Sequence, residues 1–234
     1  PAAESVGLGT QAAADVDGYY AALEAAIEGW DCQSESVDFD ASAYSIPKDD
    51  LASITTRFIN AHGQYFYLTG KVVWSSYPSN NLVAYVTIYF DTTYGEAEIS
   101  AFNAKVKKIM AGVESGWSDE QKVLYLHDYL CTHCQYDLTY SNYNAYNALV
   151  EGSAVCQGYS EAYDYLLSLV GVECDVVSSD ILNHAWNLVT VDGVRYYIDC
   201  TWDDPAGKGM PSYVRHVNLL RSKTGIIEQG HASS

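Results

Sequence analysis

Asp192-Gly193 sits between two runs of alternating character, His184 to Val191 and Arg195 to Trp202. An Asp-Gly pair there is the strongest short-range hairpin signal, because both central residues of a type I′ turn need positive φ. A two-residue loop fixes the register. Val191 faces Val194, and outward from the turn His184 faces Thr201 and Trp186 faces Asp199. His184 and Asp199 then become diagonal neighbours on one face, about 7–8 Å apart between Cα atoms. An imidazole and a carboxylate can meet across that gap, and Trp186 between them can shield the pair from water. Glu173 to Ser178 reads as a third strand beside this hairpin.

Just upstream, Gly152-Ser153-Ala154-Val155-Cys156-Gln157-Gly158-Tyr159 runs into a helix through Val170, closed by Gly171. Tyr159, Ala162, Tyr163, Leu166 and Leu167 recur at helical spacing, so this helix is buried. Cys156 falls in its first turn. Free N–H groups and the positive end of the helix dipole favour a thiolate there. A cysteine at a helix start beside a His–Asp pair has the chemistry of nucleophilic acyl transfer. Cys156 attacks a carbonyl, His184 accepts and returns the proton, and Asp199 orients the imidazole. Gln157, Tyr159, Trp186 and Trp202 are the residues expected to line the substrate cleft. The Cys156 backbone N–H is a natural oxyanion donor; the second donor is left open, with the 135–152 segment one source for it.

Val-Cys-Gln-Gly-Tyr, Asn-His-Ala-Trp-Asn and Tyr-Ile-Asp-Cys-Thr-Trp-Asp-Asp-Pro resemble, in order and spacing, the three core motifs of the transglutaminase-like superfamily. Leu126-His127-Asp128-Tyr129-Leu130 with Tyr136-Asp137 is similar to the preceding helix of bacterial members. His216-Val217-Asn218-Leu219-Leu220 and Gly230-His231 resemble the tail. The resemblance spans about residues 118 to 231. It implies an α+β, papain-like core with a Cys156, His184, Asp199 triad, and an activity among protein cross-linking, deamidation and peptide hydrolysis. Some superfamily members are inactive binding modules, so a non-catalytic peptide- or cell-wall-binding surface module is the alternative. The implied partner is a protein or peptide substrate, cell-wall peptide included. No cofactor is expected: there is no EF-hand loop, and Asp203-Asp204 alone does not make a calcium site.

The rest of the chain divides at about residue 115, with 1–115 an N-terminal helical and β-hairpin extension and 116–234 the catalytic core. Residues 10 to 29 read as a helix with Tyr19, Leu23 and Ile27 in register. The acidic, Ser-rich stretch 31–45 reads as a connection. A helix follows from Pro47 to about Ala61. Tyr65 to Leu68, Val72 to Tyr77 and Leu82 to Phe90 read as strands, with Gly70 and 78–81 as turns. Glu96 to Val113 is helical, and Ser118-Asp119-Glu120-Gln121 is a capping box opening another helix. On that helix His127 faces the apolar stripe as a hydrogen-bonded core histidine. Cys131-Thr132-His133-Cys134 is one CxxC without a second pair, a poor zinc signal; packing is the expected role, with a local disulfide as the alternative. Cys174 and Cys200 are expected in the core.

Thirty acidic against twelve basic residues give a formal charge of −18. Such a chain repels phosphate backbones, so nucleic-acid partners are disfavoured. Tyrosine stands at 21 residues against 5 phenylalanines, which suits a broad half-wet aromatic surface. No apolar run approaches the length of a membrane span. The chain opens at Pro1, and with its acidity and tyrosine content it is expected to be a processed, extracellular or cell-surface bacterial protein.

Overall fold

The computed structural model describes residues 13–204 and 213–231. The first residues of the expected 10–29 helix, and Pro205 of the third motif, lie outside them. The fold is α+β, and it divides into two compact units, 1–58 with 68–92 and 59–67 with 93–234. Among the described residues no helix is long and apolar enough to cross a membrane.

The first unit is built on a three-stranded antiparallel sheet in the order β1-β3-β2. Its strands are β1 (Ser36–Asp40), β2 (Leu68–Ser76) and β3 (Val83–Phe90). Helix α1 (Val16–Glu28) buries Tyr19, Leu23 and Ile27, the spacing read from the sequence. Helix α2 (Leu51–Asn60) offers Thr55, whose Oγ1 lies 2.8 Å from the Tyr19 hydroxyl. Two sequence expectations fail here. The 31–45 connection holds strand β1, paired along β3 from Ser36↔Tyr89 to Asp40↔Tyr85. Gly70 is not a turn between two strands. It lies inside β2 at φ +74, where the register with β3 shifts between Leu68 and Val72, so a bulge carries one strand through.

The second unit holds α3 (Glu96–Met110), α4 (Asp119–His133) and α5 (Cys156–Ser168), with a second antiparallel sheet in the order β6-β7-β8. The capping box at Ser118 and Gln121 forms as expected and starts α4. Helix α5 is clamped between α4 and the sheet. Tyr163 Oη donates to Val123 O at 2.9 Å, and Asn187 Nδ2 donates to Ser160 O at 3.0 Å. Strand β4 (Gln135–Tyr136) pairs in parallel with β5 (Ser153–Ala154), so the chain ends α4 and enters α5 side by side.

Strands β6 (Cys174–Ser179), β7 (His184–Val191) and β8 (Val194–Ile198) carry the hairpin. Asp192 and Gly193 both have positive φ, 50 and 76, as a type I′ turn requires. The register is the expected one, Val191↔Val194 through Asn187↔Ile198. The ladder stops there. The strand expected to reach Trp202 ends at Ile198, and Cys200–Asp203 wind into one helical turn, α6, with Asp199 as its N-cap. Asp199 Oδ1 accepts from Trp202 N–H at 3.1 Å. An aspartate followed by a short turn-forming run gains that cap bond by leaving the ladder.

Candidate active site

Cys156 is the first residue of α5, after Val155 in extended conformation. Gly158 makes this entry possible: a Cβ there would lie 2.8 Å from both Asn144 O and Ala154 Cβ. Val155 N–H is held by Asn142 O at 2.8 Å, so the 137–142 loop fixes where the helix begins. That loop is organised by Asp137. Its carboxylate accepts the N–H groups of Thr139, Ser141 and Asn142 at 2.8, 2.8 and 3.0 Å. The Thr139 hydroxyl and those N–H groups hold Asp137 well below the usual carboxylate range.

His184 opens β7 and reaches both partners. Its Nε2 lies 2.7 Å from Asp199 Oδ2, and with Cys156 it lines one cleft, close enough to lower the thiol's pKa. Leaving the ladder does not separate His184 from Asp199. The α6 turn, with Asp199 at its N-cap, holds the carboxylate against the imidazole instead of diagonally across a sheet ladder. The ring is stacked between two indoles, Trp186 at 5.7 Å and Trp202 at 5.1 Å between centroids. Such faces stabilise an imidazolium and exclude water from it.

The electrostatics follow from that packing. Burial opposes a charged His184, but Asp199 and Cys156 outweigh it and push the imidazole up to about 9. Burial also opposes a thiolate at Cys156, and His184 with the Ala185 and Gln157 backbone turns the balance downward. Asp199 is 1% exposed, which disfavours its charge, yet His184 and His231 on the carboxylate hold it below its ordinary value. The three groups therefore favour thiolate, imidazolium and carboxylate together.

Of the four expected cleft residues, two line it. Gln157 and Trp202 face a cleft of about 570 Å³ that also exposes Cys156, His184, Tyr140 and Tyr143. Trp202 and Tyr136 continue into an adjoining lobe of about 670 Å³ with Leu138, Arg215 and Val217. Tyr159 and Trp186 are each 1% exposed and do not line the cleft. Tyr159 instead donates to Asp204 Oδ2 at 2.6 Å, and Trp186 backs the His184 ring. The expected α5 stripe already contained Tyr159, so helical spacing was the signal that it belongs to the core.

Two further residues at the site were not assigned a role from sequence. His231 Nε2 lies 2.8 Å from Asp199 Oδ2, the oxygen that also holds His184. Asn218 O accepts the Asp199 N–H at 3.0 Å, and its own N–H reaches both Asp203 oxygens at 3.0 Å. Both arrive from the tail, where no local periodicity points to a distant carboxylate.

His127 is fully buried as expected, with Nδ1 3.0 Å from Asp128 Oδ1 and Nε2 3.3 Å from Asp203 Oδ2. Burial works against its charge, but those carboxylates raise it well above an ordinary histidine. The CxxC does not converge. Cys131 turns to His127 and Cys200 O, Cys134 turns to Gln135 O, and neither is in a disulfide. Among the described residues, three groups bring potential ligand atoms within 4.8 Å of one another: His127, Cys131 and Cys200; His127, Asp128 and His216; His184, Asp199 and His231. In the last two the imidazoles are already hydrogen-bonded to the carboxylate between them.

Comparison with known proteins agrees with the sequence resemblance. Residues 104–200 match the family model of the transglutaminase-like superfamily, a stretch that includes Cys156, His184 and Asp199. No curated protein matches the chain at a significant level. Among solved structures, a TGase aligns at 16% identity and a TM-score of 0.38, over 63% of this chain and 48% of its own. A candidate cysteine protease from Cytophaga hutchinsonii aligns at 14% identity and 0.34, over 56% of this chain and 61% of its own. A candidate protease from Parabacteroides distasonis aligns at 12% identity and 0.32, over 53% and 29%. The chain thus spans about half the length of the TGase that it matches.

Proposed function

From this transglutaminase-like core, we propose that the protein is a cysteine enzyme of acyl transfer on peptide or protein amides. The observation that carries the reading is a thiol at the first residue of α5 that shares one cleft with an imidazole, which a buried carboxylate holds at 2.7 Å. The Cys156 thiolate adds to the amide carbonyl carbon. The oxyanion lies against backbone N–H groups at the start of α5, Cys156 among them. His184 gives its proton to the departing amine as the C–N bond breaks, leaving a thioester and neutral imidazole. Water or a second amine then attacks the thioester, His184 takes the proton from the incoming nucleophile, and the acyl product leaves the sulfur.

Asp199 keeps the His184 Nε2–H tautomer while the ring is neutral, so that Nδ1 faces the sulfur side. The tyrosines of the cleft, Tyr136, Tyr140 and Tyr143, give flat walls with wet hydroxyls, suited to an extended peptide. Water and amine share one approach to the thioester, and the reading covers hydrolysis and transfer alike. The test is purified protein assayed side by side for cleavage of peptide amides and for incorporation of a fluorescent primary amine into a glutamine-containing protein. Turnover in either assay that vanishes in Cys156→Ala is the expected result. Turnover that survives the substitution overturns the proposal, and tight peptide binding without turnover would favour the binding-module alternative.

A further inference from the structure

His231 takes no part in the chemistry just described, yet it is 1% exposed and touches the site's acid directly. Its Nε2 is 2.8 Å from Asp199 Oδ2, beside the His184 Nε2 at 2.7 Å on the same oxygen. An ionised carboxylate only accepts, so the proton in the His231 bond belongs to the imidazole. Nδ1 of His231 is buried without a hydrogen-bond partner among the described residues. It is Nε2, and not Nδ1, that the bond to Asp199 requires to carry a proton.

We propose that His231 is a positioning residue of this site: its Nε2–H, donated to the oxygen that holds His184, pins Asp199 in the rotamer from which it grips that imidazole. The inference rests on the reading that Cys156 and His184 work as a thiolate–imidazolium pair. Asp199 is buried and receives three donors, two imidazoles on Oδ2 and the Trp202 N–H on Oδ1. Removing one leaves a buried charge short of a donor and free to turn about its side chain.

Of titratable groups, Asp199 and His184 face the His231 ring. Its other ring contacts are Trp186 at 4.9 Å and Trp202 at 4.2 Å, and Ile226 O accepts its backbone N–H.

The test is the rate of Cys156 alkylation by iodoacetamide, read by mass spectrometry from about pH 4 to 9, in the full chain. Wild type, His231→Phe and His231→Gln are compared, with thermal unfolding as the check on folding. Phenylalanine keeps the ring packing and removes the donor. Glutamine puts an amide N–H where Nε2 was. The acid limb of the profile should move up by about one pH unit in the Phe variant, a tenfold loss at fixed pH on that limb. The Gln variant should stay within about threefold of wild type.

A second measurement uses wild type alone: nitrogen-15 spectra of the histidines should show a proton on His231 Nε2. A folded Phe variant with an unchanged profile overturns the proposal, and so does an Nδ1–H tautomer at His231. An ordinary thiol titration of Cys156 in wild type would instead sink the enzyme reading, and the tautomer would still decide the His231 bond.

Discussion

Asp199→Asn removes one charge and almost no volume, which isolates what the carboxylate does. In the native protein His184 is raised from 6.5 to about 9, against the effect of its burial, with the Asp199 bond the largest contribution upward. That difference is about 3 kcal/mol in favour of the imidazolium, at about 1.4 kcal/mol for each pH unit. If the carboxylate carries most of it, the imidazolium–thiolate population falls by about a hundredfold on substitution.

Orientation adds to the electrostatic loss. The asparagine oxygen can take the place of Oδ1 and cap Trp202 N–H, but then its amide nitrogen meets both imidazoles. His184 must turn its Nε2 lone pair to that amide and carry its proton on Nδ1, the side that should accept from the thiol. The acyl-transfer rate at neutral pH should therefore drop by about 10²–10³-fold, and rapid alkylation of Cys156 near pH 6 should disappear. The sign of the pH dependence follows from both groups. His184 is raised, so its contribution is present below its ordinary value and lost as pH rises through about 9. Asp199 is lowered, so its contribution is present above the ordinary carboxylate value and lost as pH falls through its native one. Alkylation across pH with a parallel measure of folding is the assay. A folded Asn variant that keeps the wild-type profile within about twofold would refute the reasoning.

Three other outcomes follow from the packing. Gly158→Ala should destabilise the protein by about 1–3 kcal/mol in urea unfolding and slow Cys156 alkylation. The usual helical gain of about 1 kcal/mol for Ala over Gly is outweighed, because its Cβ would lie 2.8 Å from Asn144 O. Asp203→Asn should lower stability by about 3 kcal/mol, read as a fall in the urea midpoint, because it strands the buried His127 without its second carboxylate. Asp164 is 4% exposed, and burial pushes it up to about 7. Its stability contribution is present below the ordinary carboxylate value and lost as pH rises through about 7. Asp164→Asn should therefore raise the unfolding temperature much more at pH 8 than at pH 4; a variant equally affected at both would refute the assignment.

What the sequence made legible is what short-range physics decides. The Asp192-Gly193 turn sets the hairpin register because two positive-φ positions leave the strands no alternative alignment. The helical stripe of α5 and the capping box of α4 are equally local. The misreadings have local causes too. Val37 and Phe39 alternate in β1, but the Asp and Ser around them mask a strand whose pairing energy comes from β3. Extending the hairpin to Trp202 assumed that an established register continues, whereas an N-cap aspartate ends a strand as readily as it starts a helix. His231 and Asn218 were legible only as parts of a resembling tail, since their partners lie 32 and 15 residues away.

That early end of β8 is what organises the site. Had Asp199 stayed in the ladder, its side chain would have met His184 from a sheet face. As the N-cap of α6 it lies one turn before Asp203, and the two carboxylates divide the buried imidazoles between them. Asp199 takes His184 and His231, while Asp203 takes His127. Asn218 holds both ends of the turn, accepting from Asp199 N–H and donating to Asp203. Two buried carboxylates four residues apart would repel each other and unwind a four-residue helix without such donors. Donors from the tail, on Asn218 and His231, therefore help hold this turn, which ties the geometry of Asp199 to a segment that follows all three motifs in the chain.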